Sequence, residues 1–203
     1  MKRILAWAMV AAGTMAGGCG PDAAGGPEAL PVGKGKVAVI YFSWSADGNT
    51  RFAAETIAAK AGADLFEIKP EVPYPSDFGA CCDEAKPECR ERLPRPVMPV
   101  DGLDFASYDV VFFGTPNWWG TMAPPMRTFI SQNLGALGGK ALCMFQTHGG
   151  GGMQNVGKDF EELVCNATRV QVLQPKAFRG KSVRSDVQEL EAFVTDRITV
   201  KKE

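Results

Sequence analysis

Three short stretches concentrate side chains suited to holding a ligand rather than filling a core. The first reads Ser43-x-Ser45-x-Asp47-Gly48-Asn49-Thr50. It places hydroxyls, an amide and a glycine at the entrance to a segment with helical character. Backbone N–H groups and the dipole at a helix N-terminus favour an anion, and hydroxyls can donate to phosphate oxygens. No Walker lysine follows, and there is no G-x-G-x-x-G. Neutral donors of this kind suit a single phosphate group better than a triphosphate. The competing reading is an ordinary capping turn with Asn49 or Thr50 as the cap.

The second stretch, Thr115-Pro116-Asn117-Trp118-Trp119-Gly120, sets two adjacent indoles where a planar ligand would stack on them. The alternative is that both pack beneath the irregular residues 69–104. The third, Thr147-His148-Gly149-Gly150-Gly151-Gly152, has a glycine run through which backbone approaches a ligand closely. His148 is the sole histidine. It is a candidate proton donor, or simply a loop residue.

All of these stretches follow continuous apolar runs, at 37–42, 110–114 and 141–145. Runs without polar alternation are strands buried on both faces. Shorter ones occur at 65–68 and 170–173. Between them, helices are expected over 51–61 (stopped by Gly62), around 126–130, over 156–164 and over 187–198. Strands alternating with helices imply an α/β fold with a parallel sheet covered on both faces. In such sheets ligands sit beyond the carboxyl ends of the strands. Residues 69–104 are Pro-rich, carry Cys81, Cys82 and Cys89, and should contain one short helix.

The chain has 203 residues, 45% of them hydrophobic, and a formal charge of −1, which excludes a disordered chain. Lys and Arg number 22 against 23 acidic residues with no basic run, which excludes charge-driven nucleic-acid binding. A single His excludes multi-histidine metal sites. Lys2 and Arg3 before the apolar residues 4–16 read as a secretory leader. Ala16-Gly17-Gly18-Cys19 resembles a lipobox whose Cys19 is acylated. The expected organisation is a signal peptide over 1–18, a lipidated Cys19 with a Gly/Pro tether over 19–35, and one domain over 36–203. Loss of the leader takes the formal charge from −1 to −3. In an oxidising compartment, at least one disulfide is expected among the remaining cysteines. The candidates are Cys143 with Cys165, or Cys89 with Cys81 or Cys82. The latter needs a helix break near Pro87.

Tyr41-Phe42-Ser43 running to Gly48-Asn49-Thr50, then Gly114-Thr115-Pro116-x-Trp118-Trp119-Gly120, then Thr147-His148-Gly149-Gly150-Gly151 resemble flavodoxin-like proteins over about 36–198. The first loop is longer than the family's usual S-x-T-G-x-T. The resemblance implies a three-layer sandwich with five parallel strands in the order 2-1-3-4-5, and FMN as cofactor. It assigns the phosphate to Ser43, Ser45, Gly48, Asn49 and Thr50, in a loop where Asp47 adds negative charge. Pro116, Asn117, Trp118, Trp119 and Gly120 would line the flavin ring, with Trp119 as the stacker. Thr147, His148, Gly149, Gly150 and Gly151 would meet its pyrimidine side and ribityl chain. The implied role is electron transfer in the cell envelope, with a redox protein or a small acceptor as partner and a lipid anchor to the membrane. The alternatives are an FMN-dependent NAD(P)H reductase of quinone type, with His148 donating a proton, or a flavin-free binding module.

Overall fold

Val37–Tyr41 (β1) is buried at every position, because it lies mid-sheet and both of its faces are covered. Ala38 and Ile40 face one apolar layer, and Val37, Val39 and Tyr41 face the other. The computed structural model describes residues 35–45 and 47–198. The expected leader, Cys19 and nearly all of the tether lie outside the described residues.

The remaining strands are Asp64–Glu67 (β2), Val110–Trp118 (β3), Thr121–Met122 (β4), Ala141–His148 (β5) and Gln171–Arg179 (β6). The parallel sheet runs β2-β1-β3-β5-β6, with β4 antiparallel to the end of β3. This is the expected order, plus one two-residue strand that hydropathy did not reveal. Helices Asn49–Ala61 (α1) and Val187–Thr195 (α5) cover one face. Phe78–Arg90 (α2), Pro124–Asn133 (α3) and Val156–Val164 (α4) lie on the other. Gly62 stops α1 in a left-handed conformation, φ 61°, as expected of a C-terminal glycine. Among the described residues, no helix is long and apolar enough to cross a membrane.

Three strands outrun their apolar cores. The ladder between β3 and β5 continues through Thr115 with Gln146 and Pro116 with Thr147. Between β5 and β6 it continues to His148 with Arg179. Backbone pairing persists after hydrophobicity ends, so residues expected in loops are strand ends at the sheet's carboxyl edge. Pro175 sits where the β5–β6 register shifts, a bulge that accommodates its missing N–H. α5 also closes earlier than expected, at Thr195.

The expected disulfides are not formed. Helix α2 spans 13 residues and continues through Pro87, so the short, broken helix is corrected to a full one capped by Asp77. Cys81, Cys82 and Cys89 are free thiols on it. Eight residues of unbroken helix separate Cα atoms by about 12 Å, beyond the roughly 7 Å a disulfide spans. Cys143 is also a free thiol, buried on the α1/α5 face, whereas Cys165 caps α4 on the opposite face. An ion-pair anchor holds the irregular segment instead. Arg95, 9% exposed, meets Glu88 at 2.9 Å and Glu84 at 3.1 Å. It also donates to the Val72 carbonyl at 2.7 Å and lies 4.0 Å over the Tyr74 ring.

Candidate functional site

The loop between β1 and α1 opens the helix at Gly48, whose φ of 59° is left-handed. No side chain caps this N-terminus. Asn49 and Thr50 lie inside the first turn, so neither is the cap that an ordinary capping turn would use. The first-turn N–H groups and the positive end of the dipole are left for a ligand. The Ser43 hydroxyl is buried in the same loop with no hydrogen-bond partner among the described residues, an arrangement that calls for one. Thr50 is buried, and its hydroxyl shares a hydrogen bond of 2.7 Å with that of Thr147. Ser45 and Asp47 are exposed.

Trp119 and Gly120 form the turn between β3 and β4, with φ 47° and 85°. Two positive values are what a two-residue hairpin demands. Glycine adopts them freely, whereas tryptophan does so at a cost in backbone strain. The two indoles part company here. Trp118 packs edge-on against Tyr74 (5.1 Å between centroids), Phe42 (5.6 Å) and Trp44 (6.3 Å). It is the one that tucks beneath the irregular segment. Trp119 remains 42% exposed. Pro116 is held within the ladder. Asn117 acts as a brace: its amide donates to the Gly152 carbonyl at 2.9 Å, and its oxygen accepts from the Gly120 N–H at 2.9 Å. Thr121 donates to the buried Asp159 carboxylate and bolts the hairpin to α4.

After β5 the glycine run turns back on itself. Gly152, at φ 69°, donates its N–H to His148 Nδ1 at 3.1 Å. A nitrogen that accepts is unprotonated, so the neutral ring carries its proton on Nε2. Burial, and then the neighbouring Arg179, hold the histidine pKa below its ordinary range. Gln146, fully buried, donates to the Gly152 carbonyl at 2.7 Å and leaves its own Oε1 without a partner among the described residues. Gly149 faces open space, Gly150 has a φ of 156° that L side chains rarely adopt, and a Cβ on Gly151 would press on the Gln154 amide at 3.0 Å.

Two parts of the site carried no signal in the sequence. Residues 179–184, from the last residue of β6 onward, pack against both the first and third loops. The Gly180 N–H donates to the His148 carbonyl at 2.9 Å. Arg184 reaches back to the Asp47 carbonyl. The other part is a cavity of about 330 Å³ walled by Trp44, Phe78, Cys81, Cys82, Trp118 and Trp119, with no charged side chain on its lining. Its α2 wall was hidden in a segment that lacks regular hydropathy. Burial pushes the Cys81 thiol up to about 11, so this thiol stays protonated at pH 7.

The geometry therefore joins an anion-seeking end to an aromatic end across the carboxyl edge of the sheet. An elongated ligand with a phosphate group at one end and a planar ring at the other matches it. Among the described residues, no group of His, Cys, Asp and Glu could hold a metal ion.

A family model described as flavodoxin matches residues 36–192. Solved structures share the architecture. A candidate flavoprotein from Bacteroides eggerthii is 26% identical with a TM-score of 0.61, covering 77% of this chain and 98% of its own. A flavoprotein from Lactobacillus acidophilus, crystallised in complex with FMN, is 24% identical at TM-score 0.61, covering 76% and 99%. A further candidate flavoprotein, from Bacteroides uniformis, is 22% identical at TM-score 0.66, covering 79% and 98%. At these last two identities the likeness is one of fold.

Proposed function

Since this chain belongs to the flavodoxin family, we propose that it binds FMN and passes electrons in the cell envelope, tethered through an acylated Cys19. One observation carries the cofactor assignment. Among the described residues, helix α1 opens with no side-chain cap, beside a buried Ser43 hydroxyl with no hydrogen-bond partner. A phosphate group there would accept from both, and the flavin-free reading leaves them unsatisfied. The L. acidophilus protein of the same fold holds FMN. Exposed Trp119 supplies the aromatic surface at the other end.

The flavin supplies reversible electron uptake, and the protein binds, orients and shields it. Thr50 and Thr147, bonded to each other, fix the spacing between the phosphate loop and the ring loop. Asn117 fixes the hairpin against Gly152. His148, neutral with its proton on Nε2, is suited to donating a hydrogen bond to the ring rather than to delivering a proton from an imidazolium. A formal charge of −3 without the leader gives weak steering toward a protein partner.

The aromatic-walled cavity beside Trp119, with no charged side chain on its lining, favours a second reading, an FMN-dependent reductase of small uncharged planar acceptors such as quinones. Anaerobic addition of NAD(P)H to the FMN-loaded protein separates the two. Rapid bleaching of the flavin bands marks a reductase, and its absence marks a carrier. Absence of flavin bands after incubation with FMN refutes both. Fatty-acid labelling that persists in Cys19→Ser contradicts the anchor.

A further inference from the structure

We propose that residues 179–184 form a fourth loop of the site, and that the Arg184 guanidinium supplies the positive charge with which the first loop holds a phosphate dianion. This rests on the FMN reading and extends it to a residue 137 positions from the loop it serves.

The segment is built into place. β6 ends at Arg179, level with His148 on β5. The next residue crosses to the first loop: a Cβ on Gly180 would stand 2.9 Å from the Asn49 amide nitrogen, so glycine permits the approach. The N–H groups of Ser182 and Val183 both donate to the Arg179 carbonyl, closing a tight turn. Val183, 2% exposed, anchors that turn in the core between α1 and α5. The neighbouring Arg184 is thereby presented at the N-terminus of α1. Its Nη2 donates to the Asp47 carbonyl, and its Cζ lies 4.7 Å from the Phe52 ring centroid. A Cβ on Gly48 would lie 4.0 Å from the same nitrogen.

Charge gives this placement a purpose. Residues 43–50 contain one ionisable side chain, Asp47, and it is acidic. A phosphate monoester carries about −1.5 to −2 at pH 7. Backbone N–H groups and hydroxyls would have to hold it against the Asp47 carboxylate. A guanidinium against Gly48 offsets that repulsion, and its bond to the Asp47 carbonyl and its stacking on Phe52 limit its freedom. Lys181 and Arg179 add to the same basic segment but remain exposed.

The experiment compares wild type, Arg184→Gln and Arg184→Lys for affinity toward FMN and riboflavin, by fluorescence titration at low salt and near 1 M salt. Arg184 is exposed, so all three proteins should melt alike. The expected result is a roughly tenfold loss of FMN affinity in Arg184→Gln, with riboflavin unchanged and most FMN affinity kept in Arg184→Lys. High salt, with a screening length of about 3 Å, should narrow the gap between wild type and Arg184→Gln. Unchanged FMN binding in Arg184→Gln overturns the inference. So does an equal loss for both flavins, or an Arg184→Lys protein as weak as Arg184→Gln, because Arg184 then only props the loop. A wild-type protein that binds neither flavin overturns the FMN reading itself, and this inference with it.

Discussion

The hydroxyls of Thr50 and Thr147 stand 2.7 Å apart in the interior, joining the start of α1 to the end of β5 across 97 residues. Both side chains are almost fully buried, so each is the other's means of satisfying a polar atom away from water. Thr50→Val or Thr147→Val should each destabilise the protein by about 1–3 kcal/mol, because one hydroxyl stays buried and unpaired. The double variant should be less destabilised than the sum of the singles. Urea unfolding of the four proteins measures the coupling, and strict additivity would deny the bond.

Trp118 and Trp119 should separate cleanly under mutation. Trp119→Ala removes an exposed ring and should leave stability within about 0.5 kcal/mol. It should weaken FMN binding by about 1–3 kcal/mol, the usual scale for an aromatic stacking platform. Trp118→Ala empties the cluster with Tyr74, Phe42 and Trp44, and should cost about 3 kcal/mol of stability. Thermal melts and flavin titrations on both variants check this, and the reverse pattern would exchange their roles.

His148 makes stability depend on pH in a definite direction. Its folded pKa lies below the unfolded value, so the unfolded chain binds the proton more readily. Its contribution is fully present above about 6.5, the unfolded value, and is lost as pH falls from there through the folded pKa. The causes are burial of the ring and then the charge of Arg179, and protonating Nδ1 would also remove the acceptor for the Gly152 N–H. Unfolding midpoints from about pH 7.5 to 5 should fall in wild type and fall less in His148→Asn. Equal slopes would count against this linkage.

Arg95 and the thiols of α2 report on one another. Arg95→Ala leaves the largely buried Glu88 carboxylate without its cation, and breaking a buried pair costs about 3–5 kcal/mol. Burial pushes the thiols of Cys89 and Cys143 up to about 12, so in the native protein both should alkylate slowly near pH 8. In Arg95→Ala, Cys81 and Cys89 should react faster as α2 loosens, while Cys143 should not change. Peptide mapping after timed alkylation reads all of these together. A thiol among Cys81, Cys82, Cys89 and Cys143 that needs reduction before it reacts in denaturant would contradict the free-thiol arrangement.

Much of this protein follows from local chemistry and was legible along the chain. Apolar runs such as 110–114 mark strands covered on both faces, because a stretch with no polar alternation has no side to show to water. Gly62 stops α1 because a left-handed residue there costs glycine nothing. Glycine-rich and hydroxyl-rich segments after buried strands mark the carboxyl edge as the candidate site. These properties depend on neighbours within a turn or two.

Tertiary structure decided everything that depended on distant partners. Trp118 and Trp119 are chemically identical neighbours, and only the hairpin turn and Tyr74 make one a packed ring and the other an exposed one. Cys143 and Cys165 look like a pair until the sheet separates them onto opposite faces. α2 passes through Pro87, held from outside by Arg95. Arg184 meets Asp47 only because β6 lies beside β5 and Val183 finds the core. Side-chain period and turn chemistry are encoded within a few residues. Which ring is buried, which thiols can meet and which charge reaches a loop are set by contacts across the sheet, and no local pattern records them.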